Sequence, residues 1–314
     1  KMHRKRIHNM EMIELQIQIC LLAVVGYVLG KKQILNMETK DHLVDVVLMV
    51  MLPCSIVKSF EMELSPEILT TTLNILLISC GIQGFYWVWN HIFYKNVDEE
   101  QRICLKYATM VSNAGFIGMP VAAAVYGSLG LLYASVFLIP QRIFMWSYGL
   151  SMFTTVSGRE VVKKIITHPC IIAVALGLVV MCLYTNGIYI PSALDDTIGQ
   201  IGGCVTALSM MLIGAILSDV ALKEMLNRTA LVYSFYRLLL IPALVGLILW
   251  MLPLDILSIK VSILLTAMPA ASTSAMLAEK YGRDYKFASE LIMTSTILSL
   301  FTIPLVAMAL EWIF

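Results

Sequence analysis

The chain has 314 residues, 59% hydrophobic and 14% charged, with a formal net charge of +1 and a mean hydropathy of +0.82. Soluble domains carry about 25% charged residues, so this composition excludes an ordinary soluble globular domain and indicates an integral membrane protein. The near-neutral charge argues against a nucleic-acid partner.

Taken in order, the chain opens with a basic tail, 1–11, carrying Lys1, Arg4, Lys5 and Arg6. Ten segments then have the length and apolarity of a membrane span: 12–30, 43–60, 69–94, 103–126, 129–156, 169–184, 194–217, 229–252, 256–279 and 287–312. Short clusters of charge, Gly, Pro or Asn separate them, as in "GKKQILNMETKD" and "TNGIYIPSALDD". Five spans (12–156) precede the linker 157–168 and five (169–314) follow it. An odd number per half inverts the second half relative to the first, an arrangement common among secondary transporters. The expected fold is therefore an all-α membrane protein of ten helices in two inverted five-helix repeats. Lys and Arg concentrate in the odd-numbered connections, from Lys31 and Lys32 through Lys163, Lys164 and Lys223 to Arg283 and Lys286, against Lys58 and Lys260 in the even-numbered ones. The positive-inside rule then puts those connections in the cytoplasm and both termini outside. The basic tail points the other way.

Two spans carry an interruption. In "SNAGFIGMPVAAAVYG" Asn113 lies about 15 Å into the fourth segment, near the middle of a ~30 Å hydrocarbon core. Gly115, Gly118 and Pro120 weaken the helix there, and the Asn113 side chain is able to serve freed backbone groups. The ninth segment is interrupted in the same way by "AMPAASTS", around Pro269. Backbone opened at this depth is buried in protein or lines a wet cavity, and paired breaks in corresponding positions of two halves point to a substrate site.

Polar residues near mid-span are few: Gln83, Asn113, Gln141, Arg142, Arg237, Ser272, Thr273 and Ser274. A charge at Arg142 costs ~2.5–3.5 kcal/mol even on a lenient insertion scale, so it faces a cavity or a partner, and the neighbouring segments offer no acid at its depth. The competing structural reading has Arg142 and Arg237 capping carbonyls, and Ser272, Thr273 and Ser274 back-bonding in an ordinary kinked helix. Helix ends that start at mid-depth point N–H groups inward; with an arginine they favour an anion, and Asn113, Ser272 and Thr273 are neutral donors. The carboxylates Asp45, Asp195, Asp196, Asp219, Glu279 and Glu290 fall near span ends. No enzyme motif appears, no cofactor is expected, and the seven cysteines show no CxxC pair or metal spacing with histidine. "GYVLG" (26–30) fits a G-x-x-x-G contact, read as packing inside the bundle.

"SNAGFIGMPVAAAVYG", "HPCIIAVALGLVV", "ALSMMLIGAIL", "MPAASTSAMLAEKYG" and "TSTILSLFTIPLV" together resemble the auxin efflux carrier family of membrane transporters, over nearly the whole chain. Bacterial members include proteins described as malonate or malate permeases, and plant members export auxin. The resemblance implies ten spans, with the first two of each repeat as a scaffold and the last three as a moving half. It also implies a site where the fourth and ninth spans cross at their prolines, here Pro120 and Pro269. Asn113 matches the family's asparagine, and Gln141 or Arg142 falls where fifth-span polar residues meet substrate. The chain departs from the family at Ala207, where many relatives have proline, and at the third span, which offers Gln83 in place of an Asp and Lys pair. The function expected is secondary transport of a small organic anion across the cytoplasmic membrane, with a homodimer among the implied states. The alternatives are a sodium- or proton-coupled carrier resembling the bile acid symporters or cation antiporters, and a membrane sensor that binds a carboxylate without moving it.

Overall fold

The computed structural model describes residues 2–95, 97–155, 157–218 and 227–314, so Asp219 and Lys223 lie outside the described residues. Among them the regular elements are helical, with one isolated bridge between Ser112 and Ala270. Helix α1 (Met2–Lys31) is followed by α2 (Met37–Val46), which passes through a π-helical turn (Val47–Met51) into α3 (Leu52–Ser59). Then come α4 (Pro66–Phe93), α5 (Glu99–Met110), a second π turn (Ala114–Gly118), α6 (Met119–Phe144) and a third (Met145–Gly149). The second half holds a linker helix α7 (Gly158–Ile166), α8 (Pro169–Thr185), α9 (Ser192–Gly203) and α10 (Val205–Ser218). It closes with α11 (Arg228–Phe235), α12 (Ile241–Trp250), α13 (Ile256–Thr266), α14 (Thr273–Lys280) and α15 (Tyr285–Ile313).

The connections start helices by side-chain capping, which satisfies donors that a first turn leaves free. Asn36, Ser65, Asp255 and Asp284 accept hydrogen bonds from the N–H groups of Thr39, Ile68, Ser258 and Phe287. Six described runs are long and apolar enough to cross a membrane: Met37–Ser59, Pro66–Phe93, Ala114–Gly149, Ser192–Ile216, Arg228–Trp250 and Tyr285–Ile313. Helices α7 and α8 form a pair bent by 56°, and Ile17–Lys31 and Ile256–Thr266 are shorter apolar helices.

The run Ala114–Gly149 has 36 residues, about 54 Å if straight, against a core of ~30 Å. It is not one rod. Gly127 has φ 65 and ψ −154, a conformation that L side chains avoid. A Cβ on Gly130 would sit 2.4 Å from the Ala122 carbonyl oxygen, so the chain turns at Gly127 and closes back on itself.

Small residues set the tightest packing. The G-x-x-x-G pair of α1 lies on α10, where a Cβ on Gly26 would come within 1.8 Å of the Met211 carbonyl oxygen. Gly214 approaches the Ala23 carbonyl equally closely from the other side, so the motif is an internal contact, as expected. Helix α3 packs on α8 and α9, with Gly177 against Phe60 and Gly202 against Ser55. There Lys58 pairs with Glu61 at 2.5 Å and with Asp195. Large apolar side chains such as Leu77, Trp250 and Phe301 stay exposed, as lipid-facing residues do.

Candidate functional site

Helix α5 stops at Met110, and the second half-helix starts only after Asn113. Helix α13 likewise stops at Thr266 and α14 starts at Thr273. The two openings meet. The Asn113 N–H donates to the Pro269 carbonyl at 2.8 Å, and the Ala271 N–H donates to the Val111 carbonyl at 3.2 Å. The two broken segments thus form a short antiparallel pairing that satisfies backbone groups lipid could not. The Ala270 N–H finds the Ser295 hydroxyl at 3.2 Å.

Two side chains brace this crossing from behind. Gln141 donates from Nε2 to the Ser112 carbonyl at 2.8 Å and accepts from the Ser112 hydroxyl at 3.0 Å. Arg237, 1% exposed, donates from Nε to the Met268 carbonyl at 3.1 Å, and from Nη1 to Tyr86 Oη at 2.7 Å and to the Thr109 carbonyl at 3.3 Å. It therefore ties together the ends of both interrupted helices.

In front of the crossing lies a cavity of about 220 Å³. Val44 and Leu48, Cys170, Ile213 and Ile216, and Thr296 close it from α2 and its π turn, α8, α10 and α15. Its polar lining is Ser112, Asn113, Gln141, Arg142, His168, Ser272, Thr273 and Thr296, with Gly115 beside them. Larger cavities of about 320 Å³ and 410 Å³ elsewhere are lined by apolar side chains, with Asn74 the one exception. They offer a ligand little to recognise.

Arg142 is the dominant charge. It is 6% exposed, its Nη1 has no hydrogen-bond partner, and Nη2 has only the Met119 sulfur at 3.9 Å. Among the described residues no carboxylate lines the cavity. His168, on the linker at the start of α8, accepts the Cys170 N–H on Nδ1 at 3.3 Å. Burial first, and the Arg142 charge second, push its pKa down to about 3, which favours the neutral imidazole. The Tyr107 hydroxyl donates to Thr273 Oγ1 at 3.2 Å.

Of the residues expected in the site, Asn113, Gly115, Gln141, Arg142, Ser272 and Thr273 line the cavity. Pro269 supplies a carbonyl to the crossing. Three others lie outside the cavity lining. Pro120 lies off the crossing, in the second turn of the half-helix that begins at Ala114, just after the π turn Ala114–Gly118. Arg237 faces the back of the crossing and not the cavity, because the carbonyls freed there need a donor. Gln83 is buried on α4 away from the cavity, with neither amide atom hydrogen bonded. The Asn113 side chain also makes no capping hydrogen bond; its backbone does the pairing, leaving the amide to the cavity. His168 was missed by the sequence reading. Its one signal was a histidine directly before the proline that starts a span.

The family described as Membrane transport protein matches residues 11–163 and 154–307. Similar proteins include an uncharacterized transporter of Methanothermobacter thermautotrophicus, 29% identical over 302 residues covering 93% of this chain and 96% of that protein. The uncharacterized transporter MJ1031 of Methanocaldococcus jannaschii is 24% identical over 295 residues, covering 91% and 95%. The uncharacterized transporter YfdV of Escherichia coli K12 is 23% identical over 301 residues, covering 91% and 94%. All three are described as transporters. The chain belongs to the Membrane transport protein family, the auxin efflux carrier family that its motifs resemble.

Proposed function

We propose that this chain is a secondary transporter of small organic anions, mono- or dicarboxylates, in the cytoplasmic membrane. The observation that carries the reading is Arg142: a buried guanidinium with no counter-ion, facing a small cavity where two half-helices begin. A buried charge without a partner is costly, and a bound carboxylate supplies the missing partner with a charge-assisted hydrogen bond. Asn113, Ser272 and Thr273 add neutral donors, and the first N–H groups of each half-helix have no partner within their own helix.

The architecture we infer is ten spans in two inverted five-helix repeats. The turn at Gly127 and the paired interruptions after α5 and α13 support it. The moving half carries the crossing, the scaffold comprises α1 to α3 and α8 to α10, and the motion is an elevator-type alternating access. Both termini lie outside, following the distribution of Lys and Arg.

The test is uptake of labelled malonate and malate into liposomes holding wild type or Arg142→Ala, with and without sodium. Saturable uptake by wild type and its loss in a folded variant is the expected result. Equal uptake by both would make Arg142 structural.

A further inference from the structure

Beside Arg142 the cavity holds a titratable base that an anion bound there would act upon. His168 and Arg142 line the same small space. We propose that His168 is the proton acceptor of this site, so that a dicarboxylate binds against Arg142 together with one proton on the His168 imidazole. This rests on the anion reading of the cavity, and it narrows the substrate to dianions, whose two negative charges match the two cations thus formed.

The chemistry follows from the hydrogen bonds. Because Nδ1 accepts the Cys170 N–H, the neutral ring carries its hydrogen on Nε2. The incoming proton, taken from solvent, goes to Nδ1. Protonation turns that acceptor into a donor and releases the Cys170 N–H at the first turn of α8, so the cavity gains donors as it gains charge. The buried position and the neighbouring guanidinium favour the neutral ring. A dianion cancels the guanidinium's repulsion and adds attraction of its own, which reverses the balance.

Other charges do not compete for this role. The ionisable side chains lining the cavity are Arg142, His168 and the Cys170 thiol; α2, α10, α14 and α15 present Val44 and Leu48, Ile213 and Ile216, Thr273, and Ile292 and Thr296. On α7, Lys164 lies over the Trp146 ring at 4.9 Å, while Arg159 and Lys163 are exposed. Asp41 and Asp45 of α2 are likewise exposed and outside the lining.

The experiment is calorimetric titration of the purified full chain with malonate, in two buffers of different ionisation enthalpy, across pH 6 to about 8. Wild type is compared with His168→Asn, which keeps a capping acceptor but cannot titrate, and with His168→Gln. Malonate's own protonation is common to all three and cancels in the difference. Expected is close to one extra proton taken up per malonate by wild type, with affinity rising up to tenfold per pH unit lowered, and neither effect in the variants. Folding is checked by melting without ligand. Binding by all three with the same proton uptake overturns the coupling and leaves the anion site standing. Failure of folded wild type to bind malonate overturns the anion reading, and the coupling with it.

Discussion

Arg142 and Arg237 are the same residue type at similar depth in similar apolar surroundings, and they do opposite things. Arg237 satisfies Tyr86 Oη and the carbonyls of Thr109 and Met268; Arg142 satisfies nothing comparable. Removing Arg237 leaves buried acceptors, each costing ~1–3 kcal/mol, so Arg237→Ala should lower stability by ~3 kcal/mol or more, read as a fall in melting temperature. Arg142→Met, which keeps volume and removes an unpaired charge, should leave melting unchanged or raise it while abolishing stabilisation by malonate. A destabilised Arg142→Met with malonate stabilisation intact would contradict both roles. The His168 shift has a sign of its own. A histidine pKa lowered on folding means the unfolded chain binds the proton better, so stability is lost as pH falls below ~6.5. Melting of the ligand-free protein should fall between pH 7 and 5, and His168→Asn should flatten that slope. The sequence put Arg142 against a cavity or a partner but left the capping of carbonyls open for both arginines. Their difference lies in which way each side chain turns at the crossing, which is decided by partners distant in the chain.

The interruptions themselves were legible, because Met-Pro beside small residues in the middle of an apolar run has few other meanings. Their position was displaced. Chain reading put the interruption within 112–127, with Asn113 and Gly115 at mid-depth and Gly118 and Pro120 weakening the helix; the stretch from Ala114 on is helical, and the opening lies at Val111 to Asn113. Pro120 comes just after the π turn, and Gly118 serves contact: a Cβ there would sit 2.9 Å from Leu265 Cδ2 and 3.0 Å from Met268 Cγ. Gly118→Val should therefore push α13 off the crossing and abolish malonate binding in a chain that still inserts, measured by ligand-dependent melting. The division between the segments 103–126 and 129–156 was also legible, and Gly127 supplies its geometry. With φ 65, Gly127→Ala should cost about 1 kcal/mol or more in stability.

On the proposed elevator mechanism, α1 packed on α10 and α3 packed on α8 and α9 form one body, and the crossing with α4, α5, α6 and α11 to α15 forms the other. The cavity lies between them, with Leu48 on one side and Thr296 on the other. In a cysteine-free background, Ile19→Cys on α1 and Leu300→Cys on α15, which line a separate small void, joined by a bifunctional maleimide should arrest malonate counterflow while leaving malonate binding intact. Continued counterflow in the crosslinked protein would rule out sliding of the two bodies. If the second body does travel, the unbalanced guanidinium of Arg142 travels with it, and the empty carrier becomes a voltage-sensitive particle. A membrane potential of 100 mV acts on one elementary charge with about 2.3 kcal/mol, so an inside-negative cell draws the vacant site inward, whereas a site neutralised by its cargo feels no such pull. Cells at rest would then hold most empty carriers facing the cytoplasm, loading of the anion and its proton on the inner side would be the favoured first step, and the potential acting on the empty carrier would lean the protein toward export.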